Sequence, residues 1–224
     1  MSILFVDSVQ TLGDRFLNDT KPVLDLAEKR VYTYDMADAH KYGWHHTYCY
    51  YSALPMKHKQ LDCDVFLVMY NKGRAEKAIE YYDLFASRGI KCLFYIHGVD
   101  QQFAQMNKRA GVIYNHPLQY PEVIGLLSGC RVILELCQAG QKANALRAFE
   151  AVVYSKRLLT DNDNIKSFPF YCPDQMKCFS TTEDIDTIDN EFFQSDKTVL
   201  VQHYHSEFSP RNLIDVIRSS YNCS

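Results

Sequence analysis

Arg147 and Glu150 stand three residues apart in the stretch ANALRAFEAVVYSK, shortly after the turn-forming pair Gly140-Gln141. A guanidinium suits a phosphate and a carboxylate suits a ribose diol, so the two side chains together have the chemistry to grip a nucleotide. The same spacing puts them on one helical face, where a simple intrahelical ion pair is the alternative, and both readings stand open. A second group, Asn71-Lys72-Gly73-Arg74, offers two cations, a glycine and a helix start within four residues. A diphosphate fits such a setting, and so does an ordinary strand-to-helix turn with solvated cations. Gly98 is the third candidate: without a side chain it lets a ligand approach the backbone, although a turn needs nothing more than that either.

Each group follows an apolar run that reads as a strand. The runs at 63–70, 90–98, 110–116, 131–137 and 156–162 are apolar across their width, and helical spacing of apolar residues marks 73–89, 119–130 and about 144–154. Further on, TTEDIDTIDNEFF reads as an acidic helix, and a last helix opens with Ser209 as its cap and Pro210 in its first position. Strands of this kind alternating with helices form a parallel sheet covered on both faces, so the fold class is α/β, a doubly wound Rossmann-like domain over residues 62–224. In such a sheet ligands bind beyond the C-terminal ends of the strands, where all three groups fall. Residues 1–61 read as a partial βαβ-like segment: a strand in SILFVDS, a helix in KPVLDLAEKR, a strand in VYTYD, then an aromatic, histidine-rich stretch. A piece this small needs the larger domain or a partner to cover it. Asp35, Asp38 and His97 lie near strand ends, but the two aspartates are equally suited to capping the next helix, and no catalytic base is assigned.

The composition fits a globular enzyme or binding module. Of 224 residues, 47% are hydrophobic, and the net charge of −3 argues against bulk nucleic-acid binding, which calls for a basic stripe. No apolar run approaches the roughly 20 residues that cross a bilayer, and the first residues lack the basic region of a signal peptide, so a cytoplasmic protein is expected. The eight cysteines form no CxxC pair and lie mostly in apolar runs, which favours reduced core thiols over a disulfide framework or a metal site. His203 and His205 would share a face of a strand, a geometry open to metal as well as to plain surface histidines.

The stretch LELCQAGQKANALRAFEAVVYSKRLLTDNDNIKSFPFY resembles the donor side of a family of bacterial glycosyltransferases of the GT-B architecture, which serve lipopolysaccharide and capsular polysaccharide biosynthesis. That family reads Leu-Asp, then Gly-Gln, Arg-x-x-Glu-Ala, a Lys-Lys-Leu-Ile-Thr strand and an Asn-Ile-Lys…Phe-Tyr segment. The upstream YNKGR and VYTYDMADAHKYG fit the same layout, so the similarity runs from about residue 31 to about residue 180, and the block from Arg147 to Tyr171 is its most specific part.

The resemblance implies a C-terminal Rossmann-like domain that binds a nucleotide-activated sugar. By motif position Glu150 holds the ribose, Arg147 and Gly140 meet phosphate, and Lys72 and Arg74 neutralise the leaving diphosphate; Asn71, Gly73, Gly98 and Gln141, at the same strand ends, complete the expected nucleotide-sugar site. It implies neither cofactor nor metal, since helix termini and cations stabilise the leaving diphosphate. Its acceptor is a glycan or a lipid-linked sugar, which would bring the protein to the inner membrane as a peripheral component. Only about 60 residues precede the donor-type domain, so most of the acceptor half is expected to be missing, and Lys142-Ala143-Asn144 stand where the family favours small residues. The alternative is therefore a shortened, non-catalytic module that binds nucleotide, pairs as a homodimer or joins a second glycosyltransferase chain. A flavodoxin-like domain of the response-regulator type is the weaker option, because acidic residues do not cluster at the strand ends.

Overall fold

The computed structural model describes residues 2–5, 9–27, 30–48, 51–55, 61–138, 146–167, 170–195 and 209–221. The first elements are β1 (Ile3–Phe5), α1 (Val9–Leu12), α2 (Asp14–Ala27), β2 (Val31–Thr33), α3 (Met36–Tyr42) and β3 (His45–His46). The three short strands pair in parallel in the order β1-β2-β3 over a small cluster of Phe5, Ala27 and Val31, with Trp44 packed against it. The helix expected at 21–30 starts earlier, at Asp14. Pro22 suits a first turn, but the chain is already helical when it reaches it. Asp35 caps α3 by accepting hydrogen bonds from the Ala37 and Asp38 amides, and Gly43 closes it in the left-handed conformation.

The larger sheet follows with β4 (Cys63–Tyr70), α4 (Ala75–Ser87), β5 (Cys92–His97), α5 (Gln101–Met106), β6 (Val112–Tyr114), α6 (Tyr120–Ser128) and β7 (Cys130–Glu135). It continues with α7 (Leu146–Val153), β8 (Arg157–Thr160) and β9 (Met176–Cys178), and the chain proceeds through α8 (Thr182–Asp186), α9 (Asn190–Gln194) and α10 (Pro210–Tyr221). All six strands are parallel, in the order β6-β5-β4-β7-β8-β9. The single acidic helix expected after residue 180 is two, α8 and α9, each with its own cap from Thr181 or Asp189. The edge strand β9 and the short α5 were not expected from the sequence.

Alternation along the strands divides the core between two faces. Val65, Leu67, Val132, Leu134 and Leu159 face α4, α8 and α9 through Ile79, Phe85, Ile185 and Phe193. Phe66, Ile133, Leu158 and Met176 face α6 and α7 through Ile124, Leu127, Phe149 and Val152. This explains the almost unbroken apolar run of β4: with helices on both sides, neither side of the strand meets water.

Candidate functional site

The strand order dictates where a site can form. The chain leaves β4 through α4 toward β5 on one side, and leaves β7 through α7 toward β8 on the other, although β4 and β7 are neighbours. Diverging connections open a crevice beyond the C-terminal ends of β4 and β7, the usual ligand position in open α/β sheets.

Beyond β4, Asn71 organises the turn. Its side-chain oxygen accepts from the Arg74 and Ala75 amides at 2.9 and 2.8 Å, which engages two donors at the start of α4. Lys72 and Gly73 follow one another at φ 42° and 80°, two left-handed residues that carry the chain round, and both are exposed. Arg74 turns inward. Its guanidinium donates to the Tyr70 carbonyl at 2.7 Å, the Asn71 carbonyl at 3.2 Å and the Leu136 carbonyl, tying the end of β4 to the end of β7. Arg74 is therefore a brace across the crevice, and Lys72 is the cation of this turn that faces solvent.

Gly98 joins the same cluster. Its carbonyl accepts from the Asn71 side chain at 3.4 Å and its amide donates to Asn115 Oδ1 at 2.8 Å. At φ 79° it is in the region glycine favours, and a Cβ there would meet the Tyr70 ring at 2.5 Å.

Arg147 and Glu150 occur together on α7 as an ion pair. Glu150 is fully buried, and its second oxygen accepts from the Tyr120 hydroxyl at 2.8 Å. Tyr120 meets Tyr51 at 2.7 Å and Tyr51 meets Tyr154 at 2.9 Å, while the Leu54 amide donates to Tyr154. Burial, first, and these hydrogen bonds hold the Tyr51 hydroxyl well above the usual phenol range. The network fastens residues 51–54 onto α7. Gly140 and Gln141, with Lys142 and Asn144, lie outside the described residues, as do His203 and His205.

One residue at the crevice was not singled out in the sequence. Glu135 ends β7 and is 4% exposed; its Oε2 accepts from the Thr160 hydroxyl of β8 at 2.5 Å, and its Oε1 has no hydrogen-bond partner among the described residues. Burial raises its pKa to about 7, with Asp161 and Glu150 adding to the rise and Thr160 and Arg147 opposing it. The signal in the sequence is a lone carboxyl inside an apolar strand, between Leu134 and Leu136. Next to it, Asp161 accepts from the Cys137 amide at 2.7 Å and pairs with Lys77 at 3.1 Å. Burial works against the charge of Lys77, but the bond to Asp161 outweighs it and the pKa is raised.

Elsewhere, Asp38 accepts from the Val9 amide at 2.6 Å, so both early aspartates are engaged in local structure. An open cleft of about 810 Å³ lies beside β9, where Arg157, Lys166 and Lys177 are outnumbered by Asp163, Asp174, Asp184, Asp189 and Glu191, and none of the expected site residues lines it. Among the described residues, no group of three histidine, cysteine or acidic side chains is placed to hold a metal, and no helix is long and apolar enough to cross a membrane. Compared with known proteins, the chain matches no family model, and a search of the curated proteins gives no match.

Proposed function

We propose that this chain binds a nucleotide-activated sugar at the crevice between β4 and β7 and acts as the donor-binding part of a glycosyltransferase of the GT-B type. The observation that carries the reading is the strand order β6-β5-β4-β7-β8-β9, the arrangement whose switch point receives nucleotides in doubly wound folds. The sugar-transfer part rests on the sequence resemblance around Arg147 and Glu150. In the transfer, an acceptor hydroxyl forms a bond to the anomeric carbon as the bond from that carbon to the diphosphate breaks; the leaving oxygen gains negative charge, and the hydroxyl proton passes to water or to the departing diphosphate. Among the described residues, exposed Lys72 and the start of α4 are suited to receive that charge. Glu150 reaches a ribose diol only if Tyr120 or Arg147 gives way, so ribose binding on this reading opens the buried network. The test is titration with UDP, GDP and CMP by calorimetry. One nucleotide is expected to bind saturably, several-fold more weakly to Lys72→Ala and to Glu150→Gln; failure of all three at millimolar concentration removes the reading.

A second reading is a module that binds without transferring. It is favoured by the engagement of Arg74 with three backbone carbonyls and of Glu150 with Arg147 and Tyr120, which leaves these groups satisfied by the fold itself. Nucleotide binding with no hydrolysis of, or transfer from, any sugar conjugate selects it.

A further inference from the structure

We infer that Glu135 is a ligand contact at the switch point, a buried acid that donates a hydrogen bond from its unpartnered oxygen to a phosphoryl oxygen of the bound diphosphate. The inference rests on the nucleotide reading for the identity of the whole ligand, but on the geometry of β7 for the contact itself.

Three observations converge on this residue. First, it is the last residue of β7, at the strand end that flanks the crevice, and it pairs in register with Thr160 of β8. Second, one carboxyl oxygen is fixed by Thr160 while the other is buried and has no hydrogen-bond partner among the described residues. A buried acceptor or donor left unmet is costly, and native folds retain such groups at functional or strained sites. Third, the charges around it are already committed. On α7, Arg147 is paired with Glu150; beyond β8, Asp161 is paired with Lys77; at the start of α4, Arg74 is bound to carbonyls; and the thiol of Cys137 follows the strand. Arg147 still favours the charge of Glu135, but burial outweighs it.

The protonation state follows from that setting. With its pKa raised to about 7, the carboxyl carries a proton through the acid side of neutrality, and the oxygen without a partner becomes an O–H donor. A phosphoryl oxygen is the matching acceptor, and its charge favours the protonated acid further, so binding near neutral pH takes up a proton. A ribose hydroxyl donating to the same oxygen favours the carboxylate instead and releases one. The direction of proton exchange separates the two.

The experiment is calorimetric titration of wild type, Glu135→Gln and Thr160→Val with inorganic pyrophosphate, and separately with UDP, at pH 6 and pH 8 in buffers of different ionisation enthalpy. The amide retains an acceptor for Thr160 and a donor for the ligand, so Glu135→Gln is expected to hold the pH 6 affinity within a few-fold. Wild type is expected to bind pyrophosphate about tenfold more weakly at pH 8 than at pH 6, beyond any change seen in Glu135→Gln, since titration of the ligand itself is common to both. Thr160→Val removes the bond that favours the ionised carboxyl and is expected to shift the wild-type midpoint upward. Identical pH profiles in wild type and Glu135→Gln, proton release on binding, an unmoved midpoint in Thr160→Val, or no pyrophosphate binding at either pH overturns the inference. If pyrophosphate behaves as expected and UDP does not bind, the nucleotide reading falls while the role of Glu135 stands. If UDP binds with no pH difference between wild type and Glu135→Gln, the outcome is the reverse.

Discussion

Glu150 shows what a carboxylate needs once water is gone: one oxygen faces Arg147, the other receives the Tyr120 hydroxyl, and the side chain is fully buried. Arg147→Ala leaves that charge without its cation and is expected to destabilise the fold by about 3–5 kcal/mol. Tyr120→Phe removes the hydroxyl that bonds Glu150 and also meets Tyr51, and is expected to cost about 1–3 kcal/mol. Urea denaturation of both variants checks the order; equal and small losses would mean that water reaches Glu150. Glu135 behaves differently because its folded pKa, about 7, lies above the ordinary glutamate value of 4.5. The unfolded chain gives up this proton first, so between pH 4.5 and about 7 the folded state binds more protons and stability falls as pH rises. The loss reaches at most about 3 kcal/mol and is complete above pH 7. Glu135→Gln is expected to abolish that slope in denaturation midpoints measured from pH 4.5 to 8. At this scale the sequence is a partial guide. The types and spacing of Arg147 and Glu150 are legible and admit both an ion pair and a nucleotide grip; the structure shows the pair, while its closure by Tyr120, 30 positions away, is a tertiary contact that spacing does not contain. Arg74 reads as a cation for a diphosphate or for solvent, and its turn toward Leu136 depends on β7 lying beside β4.

Among the elements, those with long apolar runs were the legible ones. Residues 63–70 form β4 because a run buried from Cys63 to Leu67 and again at Met69 needs helices on both faces, and the bounds expected for α4, β5, α6 and β7 are met to within a few residues. The strand β9 has three residues and is defined by pairing with β8, so neither its length nor its composition marks it in advance. The connection into β6 is packed so closely that it is a test of the sheet. A Cβ on Gly111 would lie 2.0 Å from the Cys92 carbonyl oxygen, part of the backbone of β5, whereas at Gly98 it would meet the ring of Tyr70, which is 55% exposed and free to swing away. Gly111→Ala therefore requires β5 and β6 to separate and is expected to cost at least about 2 kcal/mol. Gly98→Ala is expected to cost about 1 kcal/mol, mainly from its positive φ. Thermal denaturation of the two variants side by side checks this, and a more harmful change at Gly98 would contradict the packing described for the β5–β6 edge.

For the whole molecule, the strand order is what the sequence least discloses. Five of the six strands and most of their helices are readable as a list, but whether the chain turns back at β7 to lie beside β4 is decided by which faces bury together. The described residues contain two sheets of unequal strength. The six-stranded sheet has clusters on both faces, and the three-stranded one rests on Phe5, Ala27 and Val31. Opening free energy follows buried apolar contact, so native-state hydrogen exchange is expected to resolve two classes of amide: slow ones in β4 and β7, and distinctly faster ones in β1 and β2. A single class over both sheets would show that they open together.

The one tryptophan of the chain sits in the smaller of these sheets' clusters, with its ring stacked on Phe5 at 4.7 Å on one contact and on Tyr42 at 4.7 Å on another. Indole emission is thus a local voice: it follows the environment of the first 48 residues and is silent about the sheet that holds the crevice, whose sixteen-tyrosine chain background must be read by other light. An unfolding curve recorded at tryptophan wavelengths therefore describes the lesser partner, and one recorded by far-ultraviolet dichroism is dominated by the greater. The horizontal gap between the two curves measures how far the three-stranded sheet opens ahead of the six-stranded one.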